Sequence, residues 1–309
     1  MKKFILKISA FFLVLVIVDQ VLGKVFNYMG TYAKGGYVGH HMYVVDKTDE
    51  DILVFGSSRA IHHYNPAILE DSLGMTCYNC GQDGNGIILF YGMWQMIRRR
   101  YTPKMIVYEI TPSFDLYKGE SNQKYLGWLR GDYDHEGVKE IFWTVDPTEK
   151  YKMLCQTYRY NSKFLQYITD YVHPFFGIRG NGFLPLKGEM DTLKIQKNRT
   201  EIKKPKVDYI KVQFIEKLID ETKAEGTRLV FVISPSWYGT SASTISIIRD
   251  LCERKECEFI DLSNHKKYHH RKEFFKDGSH LNALGADEFT RDVARLLKEY
   301  NNMEYTIPQ

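Results

Sequence analysis

The 309-residue sequence predicts an α/β fold, in which a parallel sheet of five strands carries helices on both faces. Short apolar runs alternate with helical patterns on either side of a long central stretch that lacks the alternation, and the chain begins with a basic and then apolar segment. The predicted parts are an N-terminal membrane helix (1–27), a linker (28–50), an α/β domain in two pieces (51–112 and 206–300), a mainly helical insertion (113–205) and a tail (301–309).

The N-terminal segment is predicted to be an uncleaved signal anchor. Three lysines within the first seven residues precede the uncharged run Ile8–Val18, and the wider segment Phe4–Phe26 has about the twenty residues that cross a bilayer. No good small-residue cleavage site follows, although a cleaved signal or a buried soluble helix stays open. The leading lysines place the rest of the chain outside the cytoplasm, in the periplasm or the extracellular space. Asp19 is costly in hydrocarbon, so we expect it near the outer interface or paired with another helix.

The α/β domain is assigned from apolar runs that end near turn residues. The predicted strands are Ile52–Phe55, Met75–Tyr78, Met105–Ile110, Arg228–Ile233 and Glu258–Leu262. The predicted helices are Pro66–Leu73, Ile87–Arg100, Val207–Ala224, Ser241–Arg254 and Asn282–Tyr300. The insertion is rich in Tyr, Lys, Gly and Asp, and we expect it to have its own helices and to serve as a cap or substrate platform.

Composition excludes some functions and leaves others open. A net charge of +4 with no basic stripe argues against nucleic-acid binding. The cysteines are odd in number, five, and we interpret most of them as small buried hydrophobes. No cofactor or metal is predicted, because adjacent side chains such as His62 and His63 diverge and make poor ligand pairs. The many tyrosines suit either a carbohydrate surface or an ordinary core.

Two glycine-containing segments follow the first two strands, at the sheet edge where ligands of parallel sheets bind. In Gly56-Ser57-Ser58 the glycine allows a tight turn that lifts a hydroxyl from the sheet edge, and a helix following it favours a developing anion. In Asn79–Gly86 the exposed amide of Gly81 is a candidate oxyanion donor. Helix capping alone would also explain each segment.

A third segment, Asp277-Gly278-Ser279-His280, precedes the last predicted helix. Three residues apart at a loop–helix junction, Asp277 can hold the imidazole Nδ1–H of His280. The free Nε2 is then able to take a proton from a serine. Helix capping by Asp277 with a surface His280 is the alternative.

Together the three segments resemble the SGNH/GDSL hydrolase superfamily over residues 51–110 and 207–299. Gly56-Ser57-Ser58 is similar to the first block, Gly81 to the second-block glycine, and Asp277 with His280 to the fifth block. The resemblance implies a flavodoxin-like three-layer fold of the SGNH type. It also implies Ser58 as nucleophile, with the amides of Ser58 and Gly81 forming an oxyanion hole. The anchor and the Gly-Ser-Ser start are most similar to the membrane-bound branch of DltD and the AlgJ- and AlgX-like O-acetylation proteins.

One departure concerns the third block, Gly-x-Asn-Asp, which is absent. The chain reads Glu109-Ile110-Thr111-Pro112-Ser113 at that point, so the side-chain oxyanion donor is unassigned. Asn85, Thr111 and the Ser234–Ser236 turn are alternative donors. Arg59 and Asn85 are also expected substrate contacts, with a structural ion pair as the alternative for Arg59.

These features predict a membrane-anchored acyltransferase or esterase that uses a Ser-His-Asp triad. The expected substrate is an acyl ester, above all an acetyl ester, of a cell-surface polysaccharide or glycolipid. The alternative is a non-catalytic assembly factor that binds the polymer or partners a membrane O-acyltransferase.

Overall fold

A computed structural model describes residues 1–304 apart from 162, 174–177, 179 and 192–205. Its sheet has five parallel strands in the order β2-β1-β3-β4-β5. The strands are β1 Ile52–Gly56, β2 Cys77–Asn79, β3 Met105–Glu109, β4 Arg228–Ile233 and β5 Glu258–Asp261. The predicted α/β class and the five-stranded parallel sheet are confirmed.

Helices precede, connect and follow the strands. The α-helices are α1 Lys2–Thr31, α2 Gly36–Asp46, α3 Ser58–His63, α4 Pro66–Leu73, α5 Ile87–Ile97, α6 Pro112–Asp115, α7 Val138–Val145, α8 Glu149–Lys152, α9 Gln156–Arg159, α10 Phe164–Val172, α11 Tyr209–Ala224, α12 Ala242–Lys255 and α13 Ala283–Glu304. Short 3₁₀ turns cover Asn122–Leu126 and Lys272–Phe274. The last helix thus extends into the predicted tail, of which 305–309 lie outside the described residues.

Two hydrophobic cores lie on opposite faces of the sheet. Phe55 of β1 faces α5 and α11, where Trp94 and Phe214 are buried. Its neighbour Val54 faces the other side, where Phe289 of α13 is buried. Successive strand residues point to opposite faces, and every residue of β1, β2 and β3 is buried, as expected for a parallel sheet covered on both sides.

The register of the central strands brings their carboxyl ends together. Gly56 at the end of β1 pairs with Glu109 at the end of β3, and Glu109 pairs with Val232 of β4. Gly56 has a φ of 136°, and a Cβ there would lie 2.6 Å from the carbonyl oxygen of Glu109. Only glycine fits this position, which begins the turn that leads to Ser58.

A helix in the predicted linker was missed from sequence. Helix α2 spans Gly36–Asp46 and packs between α1, α5 and α10, burying His40, His41 and Val44 among others. Its two glycines and its β-branched residues give it little intrinsic helix propensity. Packing against neighbouring elements therefore stabilises α2, and the segment is part of the folded domain.

The carboxyl-terminal half of α1 packs against the insertion. A Cβ at Gly23 would lie 2.5 Å from Cβ of Gln156, and one at Gly30 would lie 2.8 Å from the ring of Tyr167. The carboxylate of Asp19 accepts hydrogen bonds from the amides of Gln156 and Thr157 at 2.7 and 2.8 Å, so it caps α9. The expectation that Asp19 pairs with another helix is therefore correct.

The amino-terminal part of α1 has no protein neighbours to bury it. Its most apolar stretch has a mean hydropathy of 2.3, and none of that stretch is buried. The helix is long and apolar enough to cross a membrane, which is compatible with a single-pass anchor or a signal sequence.

Candidate active site

Ser58, His280 and Asp277 lie in hydrogen-bond contact at the carboxyl edge of the sheet. Ser58 Oγ is 2.8 Å from His280 Nε2. Nδ1 of the same imidazole is 2.9 and 3.0 Å from the two carboxylate oxygens of Asp277. The structure therefore brings together the three residues that the sequence proposes as a triad, in the arrangement that lets imidazole take a serine proton.

Ser58 is the first residue of α3, directly after the turn at Gly56. In the first turn of a helix the N–H groups have no intrahelical acceptor, so the amide of Ser58 is available to an anion. The preceding residue, Ser57, is fully buried, and its Oγ has no hydrogen-bond partner among the described residues. The two serines thus differ: Ser58 faces the imidazole and Ser57 faces the interior.

Asp277 is held by its own loop and orients His280. Its Oδ1 accepts hydrogen bonds from the amides of Ser279 and His280 at 2.8 and 3.0 Å. Burial by itself would raise the pKa of Asp277, but the hydrogen bonds from His280 and Ser279 outweigh it and lower the pKa to about 2. The carboxylate is therefore ionised at neutral pH and fixes the imidazole with Nδ1 as donor.

A buried histidine supports the loop that carries His280. The amide of Leu281 donates to Nε2 of His63 at 2.9 Å, so this nitrogen is an acceptor and Nδ1 carries the proton. Nδ1 then donates to Ser234 Oγ at 2.9 Å, and Ser234 Oγ donates to Glu109 at 2.7 Å. Burial lowers the pKa of His63 well below its usual range, which agrees with a neutral ring.

Glu109 is the acceptor at the end of this chain and is completely buried. It accepts hydrogen bonds from Tyr64 OH at 2.5 Å and from the amide of Ser234 at 3.0 Å. Arg59 Nη1 lies 4.0 Å from its Oε1. Burial raises the pKa of Glu109, against the opposing effect of Arg59 and of the hydrogen bonds from Tyr64 and Ser234. The guanidinium of Arg59 is largely buried beside this carboxylate, which favours the structural ion pair. The substrate contact of Arg59 stays a prediction.

A second histidine lies directly beside the triad. The ring centroids of His62 and His280 are 5.7 Å apart. His62 Nδ1 is 2.6 Å from the carbonyl oxygen of Leu184, and its Nε2 is 3.4 Å from Asp83 Oδ1. Tyr37 OH donates to the other oxygen of Asp83 at 2.8 Å. Sequence reasoning considered this histidine only as part of an adjacent pair and missed its place in the wall of the site.

The predicted role of Gly81 conflicts with its surroundings. Its amide already donates to Asn79 Oδ1 at 2.9 Å, so it is not free to bind a substrate oxygen. A Cβ at this position would lie 2.5 Å from the amide nitrogen of Ile61. Close packing of α3 against the β2–α5 loop therefore explains the glycine without an oxyanion role.

Of the alternative oxyanion donors, only Thr111 keeps an unused hydroxyl. Asn85 Nδ2 donates to the carbonyl oxygen of Asp83 at 2.8 Å, Ser234 donates to Glu109, and Ser236 donates to Gly239. Thr111 Oγ1 is buried and has no partner in the described part of the chain. The amide of Asn85 is thus used locally, and its contact with substrate stays a prediction.

The last part of the insertion, residues 180–191, lies alongside the triad. The amide of Leu184 donates to Ile61 of α3, and the amide of Ala283 donates to Leu186. The amide of Asn79 at the end of β2 donates to Asn181. This segment joins the sheet edge, the helix that begins at Ser58 and the loop of His280, a role that no sequence pattern indicated.

Comparisons with known proteins find similarity to solved structures at low values. No family model and no curated protein matches the sequence. Among solved structures, the chain is similar to a putative lipolytic protein of the G-D-S-L family from Desulfitobacterium hafniense DCB-2, with 10% identity over 79% of this chain and 97% of that one and a TM-score of 0.40. It is also similar to the acetyl xylan esterase AlAXEase, with 14% identity, 81% and 98% coverage and a TM-score of 0.38. A third similar structure is LAE5, an alpha/beta hydrolase enzyme from the metagenome of Lake Arreo, Spain, with 11% identity, 82% and 96% coverage and a TM-score of 0.41. With values this low, the chemistry of the chain has to be argued from its own Ser58, His280 and Asp277.

Proposed function

We propose that this protein is a serine esterase or acyltransferase, anchored by α1 with its active site outside the cytoplasm. The observation that carries the proposal is the 2.8 Å contact between Ser58 Oγ and His280 Nε2, with Asp277 on the opposite nitrogen of the same ring. A nucleophile, a base and a group that orients the base are the constellation that acyl transfer requires.

In the proposed reaction, His280 Nε2 takes the Ser58 proton while Ser58 Oγ attacks the acyl carbonyl carbon. The tetrahedral intermediate collapses when the imidazolium gives its proton to the leaving alcohol, which leaves an acyl-Ser58 ester. Water or a second hydroxyl then attacks the ester with His280 again as base, and Ser58 regains its proton. Asp277 stabilises the imidazolium in both steps.

The negative oxygen of the intermediate needs hydrogen-bond donors. The amide of Ser58 is the first candidate, because it lies in the first turn of α3 and has no acceptor among the described residues. The hydroxyl of Thr111 is the second, because it follows β3 at the same sheet edge and has no partner among the described residues. Such donors act by preorganised electrostatic stabilisation of the transition state.

A fluorophosphonate probe tests the nucleophile in purified full-length protein. The wild type should be labelled on Ser58 and should release acetate from a chromogenic acetyl ester, whereas Ser58→Ala should do neither. Ser57→Ala is the matched control, since Ser57 is adjacent, buried and unpartnered, and this variant should keep labelling and turnover. Retained turnover in folded Ser58→Ala protein would overturn the assignment.

The substrate class is a finer proposal. The leading lysines of α1 favour an extracytoplasmic domain, where cell-surface polysaccharides and glycolipids carry acetyl esters. Transfer rather than hydrolysis would place the protein beside a membrane O-acyltransferase that supplies acyl groups, as implied by the resemblance to the DltD and AlgJ branch. Acetyl transfer from a donor ester to an oligosaccharide, measured against acetate release, separates the two reactions.

The engaged amide of Gly81 and the absent third block favour a second candidate, a non-catalytic polymer-binding factor. A protein with a formed triad but a poor oxyanion hole would bind its glycan without turning it over. In that case folded wild-type protein would resist the fluorophosphonate probe, and oligosaccharide binding would be the same in Ser58→Ala and wild type.

A further inference from the structure

Large apolar side chains are exposed where the insertion packs on α1. The side chains of Leu154, between α8 and α9, and Leu165 on α10 are 74% and 65% exposed. Together with their exposed neighbours they form a surface that we name the apolar collar, made of Tyr151, Leu154, Phe164, Leu165, Ile168 and Val172. Exposed apolar residues that cluster in this way mark a surface with a partner.

The collar continues the exposed apolar surface of α1. Two open grooves of about 390 and 450 Å³ run between α1 and the insertion. The first is lined by Val21, Val25 and Tyr171, and the second includes Phe26 and Phe164. Val21 and Val25 are exposed even though the insertion packs on the same helix. The two surfaces therefore meet in these grooves, which are mostly apolar although Lys24, Thr157 and Asn161 also line them.

The length of α1 indicates how deep this junction lies. The segment from Phe4 to Val18 is about 22 Å long at about 1.5 Å per residue, whereas a bilayer core is about 30 Å thick. A span that starts at Phe4 therefore ends near Lys24, beyond Asp19. Asp19 would then lie inside the outer edge of the hydrocarbon, where an unsatisfied carboxylate is costly.

The insertion supplies the hydrogen bonds that Asp19 needs at that depth. Besides the amides of Gln156 and Thr157, the hydroxyl of Thr157 donates to it at 2.7 Å, and Cys155 Sγ lies 3.0 Å away. These contacts fix the start of α9 at the level of Asp19. Leu154 lies two residues before the start of α9, so it lies close to the same level.

The charged residues beside Tyr151 of the collar fit a membrane surface. Lys150 and Lys152 flank Tyr151, and the ammonium of Lys150 lies 4.9 Å from the tyrosine ring centroid. Tyrosine and lysine side chains are enriched at the lipid–water interface, where the apolar stem is buried and the polar end reaches the headgroups.

We propose that the apolar collar is a second membrane contact, in which the α8–α9 turn and the first turn of α10 lie against acyl chains of the leaflet on the domain side, while the rest of α10 lies at the level of the headgroups. The domain is then held on the bilayer by two elements, with its orientation fixed. This inference rests on the proposed insertion of α1 into the membrane, and lipid is the occupant because the collar is continuous with the lipid-facing surface of that helix.

Full-length protein in lipid vesicles, labelled at single cysteines with an environment-sensitive fluorophore, tests the contact. The starting variant is Cys155→Ser with Cys257→Ser. The labels in the collar are attached to cysteines introduced by Leu154→Cys and Leu165→Cys. Lipids that carry nitroxide quenchers should quench both collar labels to an extent comparable with Val14→Cys in the middle of α1. Arg291→Cys, exposed on α13 on the far face of the sheet, is the control and should be unquenched.

The outcomes separate the two proposals. A quenched label at Val14 with unquenched labels at Leu154 and Leu165 would overturn the collar contact and leave the anchor standing. An unquenched label at Val14 would overturn the anchor itself. Collar labels that are unquenched in pure lipid vesicles and shielded from water only in native membranes would assign the collar to a membrane protein, which also contradicts the lipid contact.

Discussion

The sheet edge that carries Ser58 and the junction between α1 and the insertion are stabilised in different ways. At the sheet edge, a chain of buried hydrogen bonds leads from the amide of Leu281 to His63, then to Ser234 and finally to Glu109. At the junction, Gln156 packs on Gly23 and the ring of Tyr167 packs on Gly30, and one carboxylate, Asp19, caps a short helix. The first region is positioned by the sheet and the second by contacts with a helix far away in sequence. We therefore expect substitutions at the two regions to affect different properties.

The largest expected effect is a loss of catalytic activity in a protein that keeps its fold. His280→Ala removes the base, and we expect kcat to fall by about 10⁴-fold or more, as in other triads. Thermal unfolding should change little, because the imidazole is partly exposed. His269→Ala, an exposed histidine outside the triad, is the control and should keep wild-type turnover. A wild-type kcat in His280→Ala would show that His280 is not the base of the reaction.

The next effect tests how far the sheet edge depends on its buried network. Glu109→Gln removes the charge opposite Arg59 and replaces one of the two acceptor oxygens with an NH₂ donor, so that Tyr64 or Ser234 loses an acceptor. A buried charge left unpaired destabilises by about 3–5 kcal/mol, so the midpoint of denaturant unfolding should fall clearly. Glu258→Gln, which breaks a partly exposed pair with Arg228, should cost only about 1 kcal/mol or less. Equal losses of unfolding free energy in the two variants would contradict the proposed contribution of Glu109 to stability.

A smaller and local effect is expected at the junction. Asp19→Ala leaves the amides of Gln156 and Thr157 without their acceptor, which should destabilise the insertion by about 1–3 kcal/mol. Amide hydrogen exchange in vesicles should rise in residues 149–172 and stay unchanged in the sheet. Asp71→Ala on α4, at an exposed position, is the control. Faster exchange throughout the sheet would show that the two regions are not independent.

The smallest effect concerns the stability of the folded protein at acidic pH. The folded pKa of Asp277, about 2, lies below its ordinary value of 3.8, so its ionised form stabilises the folded state above about pH 4. That contribution is lost as the pH falls from about 4 to 2. Wild type should therefore be the more stable protein at neutral pH, and the difference from Asp277→Asn should vanish towards pH 2 in thermal melts. A difference that grows on acidification would contradict the assigned pKa shift.

Much of the α/β domain could be predicted because its signals are local. Apolar runs of strand length gave the five strands to within a few residues, and the three-residue spacing of Asp277 and His280 placed them in one loop. The network of His63, Ser234 and Glu109 could not be predicted. These residues come from three distant segments, and only the sheet register brings them together.

The insertion was predicted to be mainly helical, but the bounds of its helices were not predicted. Its helices α8 and α9 have four residues each, which is too short for a periodic pattern. Helix α2 and the segment 180–191 were also missed, because packing and backbone contacts with other parts of the chain define them. The oxyanion role of Gly81 stays a prediction, because its amide donates to Asn79 Oδ1 and a resemblance in sequence position does not show that an amide is free.

Capping of α9 by Asp19 makes the N-terminal helix a structural part of the domain. A protease that cut between α1 and α2 would leave the start of α9 without its acceptor and would expose the ring of Tyr167 where Gly30 now lies. The shed domain would therefore be a less stable molecule than the tethered one. With α1 as the proposed anchor, the helix that holds the protein on the membrane would also complete the fold, and a secreted form would need a different way to stabilise its insertion.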